Sequence, residues 1–154
     1  MRIDKQNYYL NIAAEVARRG TCLRRNSGAV IVNDDEIIAT GYTGASRGAI
    51  NCIDIGRCRR DELGVKSGER YELCRSVHAE MNACVSACRK AMQGGTLYLA
   101  TLEARTGKLI EKTAPCLLCK RVIVNAGIRW VVTPELSAPG GTETYFVHQW
   151  VEEI

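Results

Sequence analysis

Two short clusters constrain this chain more than any other feature of it: His78-Ala79-Glu80 and Pro115-Cys116-Leu117-Leu118-Cys119. One imidazole and two thiolates are three ligands for Zn2+, and they leave the fourth tetrahedral position to water. That is the layout of a catalytic zinc, since structural sites close all four positions with protein. Cys116 and Cys119 are three apart, so on a helix they face one side and can grip one ion. Both clusters fall at predicted helix starts, where the positive helix end favours thiolate over thiol. The fold must therefore bring two helix ends together across an intervening strand. Glu80 need not be a ligand. Beside a metal-activated water, a carboxyl group is the proton carrier that the chemistry requires. Each half alone says little, because a lone CxxC is often a zinc knuckle or a redox pair. Together, with proline before the first cysteine, the two halves are specific.

The chain of 154 residues is the size of one domain, 1–154. Its 46% apolar and 25% charged residues are globular values and exclude a fibre or a disordered tail. No apolar run is long enough to cross a bilayer, and the N-terminus is charged and amphipathic. A soluble, cytoplasmic protein with no membrane partner is expected. In that compartment the eight cysteines point to metal or catalysis rather than to disulfides. A net charge of +4 fits an anionic small molecule as well as nucleic acid. Aromatic residues are only 6% of the chain, with a single Phe, which leaves little for the stacking platform of a single-strand reader. No nucleic-acid partner is expected.

Hydrophobic periodicity predicts a helix over 4–19, capped by Asp4, with Tyr8, Ile12, Ala13 and Val16 as its apolar face. Strands follow at 28–33 and 36–43, joined through Asp34-Asp35 as a hairpin. Residues 44–72 lose all periodicity and read as a long Gly-, Arg- and Cys-rich insertion, bounded at about 44–74. A helix is predicted over 77–93, a strand over 96–100, a polar loop over 102–113, a helix over 116–125 and a strand over 128–132. The tail is read as an edge strand over 143–148 and a short helix over 149–154. The alternation predicts an α/β sheet with helices on both faces. The hairpin strands are antiparallel, and the later strands, each following a helix, can be parallel.

On these residues the chain resembles the cytidine and deoxycytidylate deaminase superfamily, and within it the deoxycytidylate (dCMP) deaminase family. The resemblance rests on TCLRRNSGAVIV (21–32), ATGYTGASRG (39–48), CRSVHAEMNA (74–83) and APCLLCKRVIVNAGI (114–128). Its HxE and PCxxC halves are the zinc-deaminase signature. It implies a three-layer α/β/α sandwich with a five-stranded mixed sheet. It implies His78, Cys116 and Cys119 as zinc ligands and Glu80 as proton shuttle. A zinc-activated water then attacks C4 of the pyrimidine, Glu80 protonates N3, and ammonia leaves to give dUMP. The resemblance also implies a homo-oligomer, often a hexamer, with dCTP and dTTP as effectors. It puts Asn26 on the sugar and the Ala79 backbone on the pyrimidine. Arg25, Tyr42 and Ser46 are candidates near the phosphate or an effector, or else ordinary surface and packing residues. Many relatives have Pro where this chain has Ser46.

Four other cysteines, Cys22, Cys52, Cys58 and Cys74, lie outside the predicted core elements. Four thiolates close a structural zinc site, and a loop poor in apolar residues needs such a clip. Some phage-type dCMP deaminases resemble this, with a second zinc pinning the same insertion. The alternatives are free thiols, or a ligand set that recruits Asp54, Asp61 or Glu72. Cys84 and Cys88 read as small buried residues of the core face. His148 reads as a packing or surface residue. Arg57, Arg59 and Arg60 read as a solvated basic patch, or in an oligomer as contacts for a nucleotide phosphate. Two other functions share the motif. A nucleic-acid deaminase of the tRNA adenosine type needs aromatics that this chain lacks. A non-catalytic zinc module has no use for Glu80.

Overall fold

The computed structural model describes residues 1–111 and 113–154. Lys112, near the end of the predicted 102–113 loop, lies outside the described residues. Helix α1 (Lys5–Ala17) opens where predicted, with the Asp4 side chain accepting a hydrogen bond from the Asn7 amide at 2.9 Å. That bond holds the Asp4 carboxyl below its usual range. β1 (Arg25–Asn33) and β2 (Glu36–Tyr42) form the expected hairpin. Its two-residue turn puts Asp34 and Asp35 at φ of 49° and 60°, the pair of positive angles that matches strand twist.

The segment after the hairpin is more structured than its sequence suggests. β3 (Gly44–Ala45) pairs with β4 (Ser76–Val77) as a separate two-stranded ribbon, which closes the insertion at its neck. Between them lie α2 (Cys52–Ile55), α3 (Arg59–Glu62) and a 3-10 turn, Tyr71–Leu73. Helices of one turn carry too few residues to show a period. The helix predicted over 77–93 is two: α4 (Ala79–Val85) and α5 (Arg89–Met92). The break follows from local hydrogen bonding, since the Ser86 hydroxyl donates to the Asn82 carbonyl at 2.8 Å and the chain restarts on Cys88. Cys84 is buried in the core as expected, whereas Cys88 is exposed at the break.

β5 (Thr96–Glu103), α6 (Leu117–Ala126), β6 (Trp130–Pro134) and β7 (Thr142–Phe146) complete the fold, and a 3-10 helix, Val147–Glu152, forms the tail. The main sheet has the order β2-β1-β5-β6-β7. β5 and β6 are parallel; every other pairing is antiparallel, including β1 with β5. β2 and β5 therefore run the same way with β1 between them, so the crossover through α4 straddles β1.

Alternation along the strands divides the core into two. Ala29, Ile31, Leu97, Leu99 and Val131 face Ala83, Ile123 and Ala126 of α4 and α6. Val30, Val32, Tyr98 and Ala100 face Tyr9, Leu10 and Ala13 of α1. The result is the three-layer α/β/α sandwich with its five-stranded mixed sheet. The buried stripe of α1 is Tyr9, Leu10, Ala13 and Ala17, one register round from the predicted face, and Tyr8 is 47% exposed. The reason lies in β1: a methyl group on Gly28 would overlap the Ala13 carbonyl and the Ala17 amide, so the helix sits down on that gap. No helix among the described residues is long and apolar enough to cross a membrane.

Candidate metal centre and catalytic cavity

His78 is the N-cap of α4 and Cys116 the N-cap of α6, so the predicted meeting of two helix ends is what the fold delivers. The His78 Nδ1 lies 3.4 Å from the Cys116 Sγ and 3.3 Å from the Cys119 Sγ. With Zn–N of about 2.0 Å and Zn–S of about 2.3 Å, a tetrahedral ion sets its ligands roughly 3.5–4 Å apart. Among the described residues these three form the only such group whose ligand atoms all lie within 4.8 Å of one another. The donor set thus fits zinc with one position to spare.

The two thiols are pushed in opposite directions, Cys119 upward by its hydrogen bond to Cys116 and then by burial, so without an ion the pair shares a proton. The Cys116 thiol is drawn down to about 4, first by a hydrogen bond from Cys119 and then by His78 and the Cys119 amide. The imidazole of His78 is pushed up, chiefly by its bond to Cys116. Glu80 is 5% exposed, and burial, the first of several causes, raises its carboxyl pKa. Tyr71 stands edge-on to His78 at 4.7 Å between ring centroids and 87° between planes.

His78, Glu80 and Cys116 line one cavity of about 250 Å3. Its opposite wall comes from the sheet: Ser27 of β1 and Thr101 of β5 are register partners whose hydroxyls meet at 2.7 Å. The cavity lies near the C-terminal end of β5, the usual position for a ligand on a sheet with parallel strands. Arg25, a candidate near the phosphate or an effector, lines it too.

Asn26, Tyr42, Ser46 and Ala79 are not among the described residues that line this cavity. Asn26 sits between Arg25 and Ser27 on β1 and faces the other way. Its Oδ1 accepts from the Cys22 amide at 2.8 Å and its Nδ2 donates to the Cys22 carbonyl at 3.0 Å, so the side chain braces the loop before β1. Tyr42 and Ser46 line a separate cavity of about 310 Å3 with Arg47 and Asn82. Ala79 is fully buried, and its carbonyl packs on Gly41.

Of the four thiols outside the core elements, Cys22 and Cys74 border the catalytic cavity. Burial pushes the Cys52 thiol up against a hydrogen bond with Ser76, and Cys22, Cys74 and Cys58 add to the rise. No three of them have sulfurs within 4.8 Å of one another. Sequence reasoning missed Tyr71, Thr43 and Thr101 as cavity walls. Strand alternation from Arg25 would have found Ser27; nothing local marks Tyr71.

The sequence model of the family described as cytidine and deoxycytidylate deaminase zinc-binding region matches residues 3–135. The chain is 36% identical over 141 residues to the deoxycytidylate deaminase of Mycobacterium phage D29, covering 88% of this chain and 98% of that protein. It is 34% identical over 126 residues to the deoxycytidylate deaminase of Schizosaccharomyces pombe, covering 82% of this chain and 35% of that one. The chain thus spans little more than a third of the length of such yeast relatives. Among solved structures, the dCMP deaminase of cyanophage S-TIM5 in complex with dCMP and dUMP has the same fold. Its TM-score is 0.58 at 24% identity, over 84% of this chain and 79% of that chain.

Proposed function

Because the chain belongs to the cytidine and deoxycytidylate deaminase family, we propose that it hydrolyses dCMP to dUMP and ammonia at the cavity of His78 and Glu80. The observation that carries this reading is the buried Glu80 carboxyl, set in one cavity with His78 and Cys116 and against Cys119. Zinc, when bound by His78, Cys116 and Cys119, supplies a Lewis acid that makes water nucleophilic near neutral pH. Glu80 takes up the proton lost by water and delivers it to N3 of the pyrimidine; it then takes the proton of the new C4 hydroxyl and hands that one to the 4-amino nitrogen, which leaves as ammonia when the C4–N bond breaks. Its burial suits that duty, because a carboxyl in a dry pocket binds a proton readily. The Ser27 and Thr101 hydroxyls offer hydrogen bonds on the sheet side. A cavity of this size with one Tyr side chain in its wall supports a free nucleotide over a single-strand reader.

Ammonia release from the zinc-loaded protein tests the reading, with dCMP, CMP, deoxycytidine and a tRNA stem-loop as substrates. Turnover of dCMP is expected; deamination of the stem-loop alone would refute it. Glu80→Gln should keep its zinc and lose roughly 10²–10⁴-fold in turnover. Full activity in that variant would remove Glu80 from the mechanism.

Finer parts of the reading follow the same family. The chain acts as one deaminase domain within a homo-oligomer, a hexamer, and Leu117 and Leu118, 51% and 41% exposed, support a covered surface beside the metal. dCTP and dTTP are effectors, sought at the cavity of Tyr42 and Ser46. A second, structural zinc draws Cys22, Cys52, Cys58 and Cys74 together, supported by their convergence on Cys52. Eight free thiols support a cytoplasmic setting.

A further inference from the structure

Tyr71 is a half-buried ring in the wall of the catalytic cavity, and it belongs to the insertion rather than to the sandwich. Two contacts meet on it. The His78 imidazole stands edge-on at 4.7 Å between ring centroids, and the Arg60 guanidinium carbon lies over the ring at 4.9 Å from its centroid. Arg60 is itself fixed. It is 7% exposed, and its Nη2 donates to the Lys66 carbonyl at 2.9 Å and the Glu69 carbonyl at 2.7 Å. The backbone just before the ring is held too. Arg70 has φ of 50° and ψ of 50°, left-handed for a residue with a side chain, and only the surrounding structure keeps such a residue there. It pairs with the Glu72 carboxylate, and its carbonyl accepts from the Leu73 amide at 3.1 Å. The imidazole, by contrast, has one nitrogen committed. Its Nδ1 faces Cys116 and Cys119, and among the described residues nothing hydrogen-bonds its Nε2. A metal-bound imidazole is normally oriented by a hydrogen bond from its second nitrogen. Here the group that meets the imidazole is the Tyr71 ring.

We propose that Tyr71 is a positioning residue for the metal: it fixes the tilt of the His78 imidazole, so that order in the insertion sets how tightly the catalytic ion is held. The inference needs the metal site but not the identity of the substrate. An imidazole free to swing loses rotational freedom when it closes on an ion with two thiolates, and one locked beforehand does not. Edge-to-face packing is directional, so one ring can lock another without a hydrogen bond. The ring is what the role requires, and the hydroxyl is dispensable. Coupling of this kind is reciprocal, so an ion on His78 also steadies the insertion.

Competition for zinc between the protein and a chromophoric chelator tests this without turnover. The ion that His78→Ala loses marks the site. There, Tyr71→Leu should bind zinc roughly 10–100-fold more weakly, and Tyr71→Phe, which keeps the ring, should bind as the wild type does. With cobalt in place of zinc, the visible spectrum should change in Tyr71→Leu and stay unchanged in Tyr71→Phe, a signature that lost stability alone does not give. Tyr9→Phe, altered under α1 in the other core cluster, should keep the wild-type affinity. Metal should also slow trypsin at the exposed Arg57, Arg59, Lys66 and Arg70, and Tyr71→Leu should lose the part of that protection that His78→Ala loses. Unchanged zinc affinity in Tyr71→Leu would overturn the proposal. So would equal losses in Tyr71→Phe and Tyr71→Leu, or a matching loss in Tyr9→Phe. If Tyr71→Leu does not fold, Arg60→Gln, which frees the ring from its guanidinium, carries the decision: weaker zinc binding supports the proposal, and unchanged binding overturns it.

Discussion

A single tyrosine ties the first helix to the hairpin turn. The Tyr9 hydroxyl donates to the Asp35 carboxylate at 2.7 Å, and Lys5 reaches the same carboxylate at 2.6 Å. The Tyr9 ring packs 5.0 Å from Tyr98 on the sheet. The bond to Asp35, first among its causes, pushes the Tyr9 pKa up to about 12, while Lys5 and then Tyr9 hold Asp35 low. The two shifts act at opposite ends of the pH scale. Tyr9 is raised, so its contribution is full below its ordinary value of 10.0 and fades as pH climbs towards about 12. Asp35 is lowered, so its contribution is full above 3.8 and fades as acid protonates the folded carboxylate. Tyr9→Phe should cost about 1 kcal/mol in urea melts at pH 7. Its melts should show a smaller loss between pH 10 and 12 than the wild type; identical alkaline profiles would remove the hydroxyl from the account. Residues of this kind mark the limit of sequence reading. His78, Glu80, Cys116 and Cys119 were legible because metal chemistry demands fixed types at fixed spacing. Asn26 was not, because which face of β1 points to the cavity depends on the register with β5.

Two glycines set the layers of the sandwich, one on each face of the hairpin. Gly28 lets α1 lie against β1, and Gly41 lets α4 lie against β2, where a methyl group would strike the Ala83 amide and the Ala79 carbonyl. Those atoms are backbone of the helix that carries Glu80, so α4 cannot yield by turning a side chain. Gly41→Ala should destabilise by about 1–3 kcal/mol and reduce dCMP turnover more than Gly28→Ala, whose clash is with α1 on the far face. Equal losses of turnover would separate helix position from Glu80 geometry. The broken helix gives a second check. Cys84 is buried, and burial, with Glu80 after it, raises its thiol to about 11; Cys88 caps α5 in solvent. Alkylation of the native protein should label Cys88 well before Cys84, whereas an unbroken helix over 77–93 would shield both. The hairpin, the ligand helices and the edge strand at the tail were legible from period and turn residues. The ribbon of β3 and β4 was not, since a two-residue strand is defined by its partner.

At the scale of the whole molecule, the metal ligands are also part of the packing. Cys119 is fully buried in the same core cluster as Ala83, Ile123 and Val131, and His78 joins the start of α4 to the start of α6. An ion held there bridges two helices that otherwise meet only through side chains. Binding restricted to the folded state stabilises by mass action, about 4.1 kcal/mol when free metal is a thousand times the dissociation constant. Chelation should therefore lower the melting temperature, and added zinc should restore it. His78→Ala discriminates between the sites. If all the stabilisation comes through His78, Cys116 and Cys119, this variant should melt at the same temperature with and without zinc. A zinc response that survives in His78→Ala, with close to one ion still bound per chain, would place metal on Cys22, Cys52, Cys58 and Cys74. The insertion would then owe its order to that ion, and Cys74→Ser in the His78→Ala background should abolish the response. If His78→Ala keeps the full response of the wild type and Cys74→Ser changes nothing, neither set of thiols is where zinc holds this fold together.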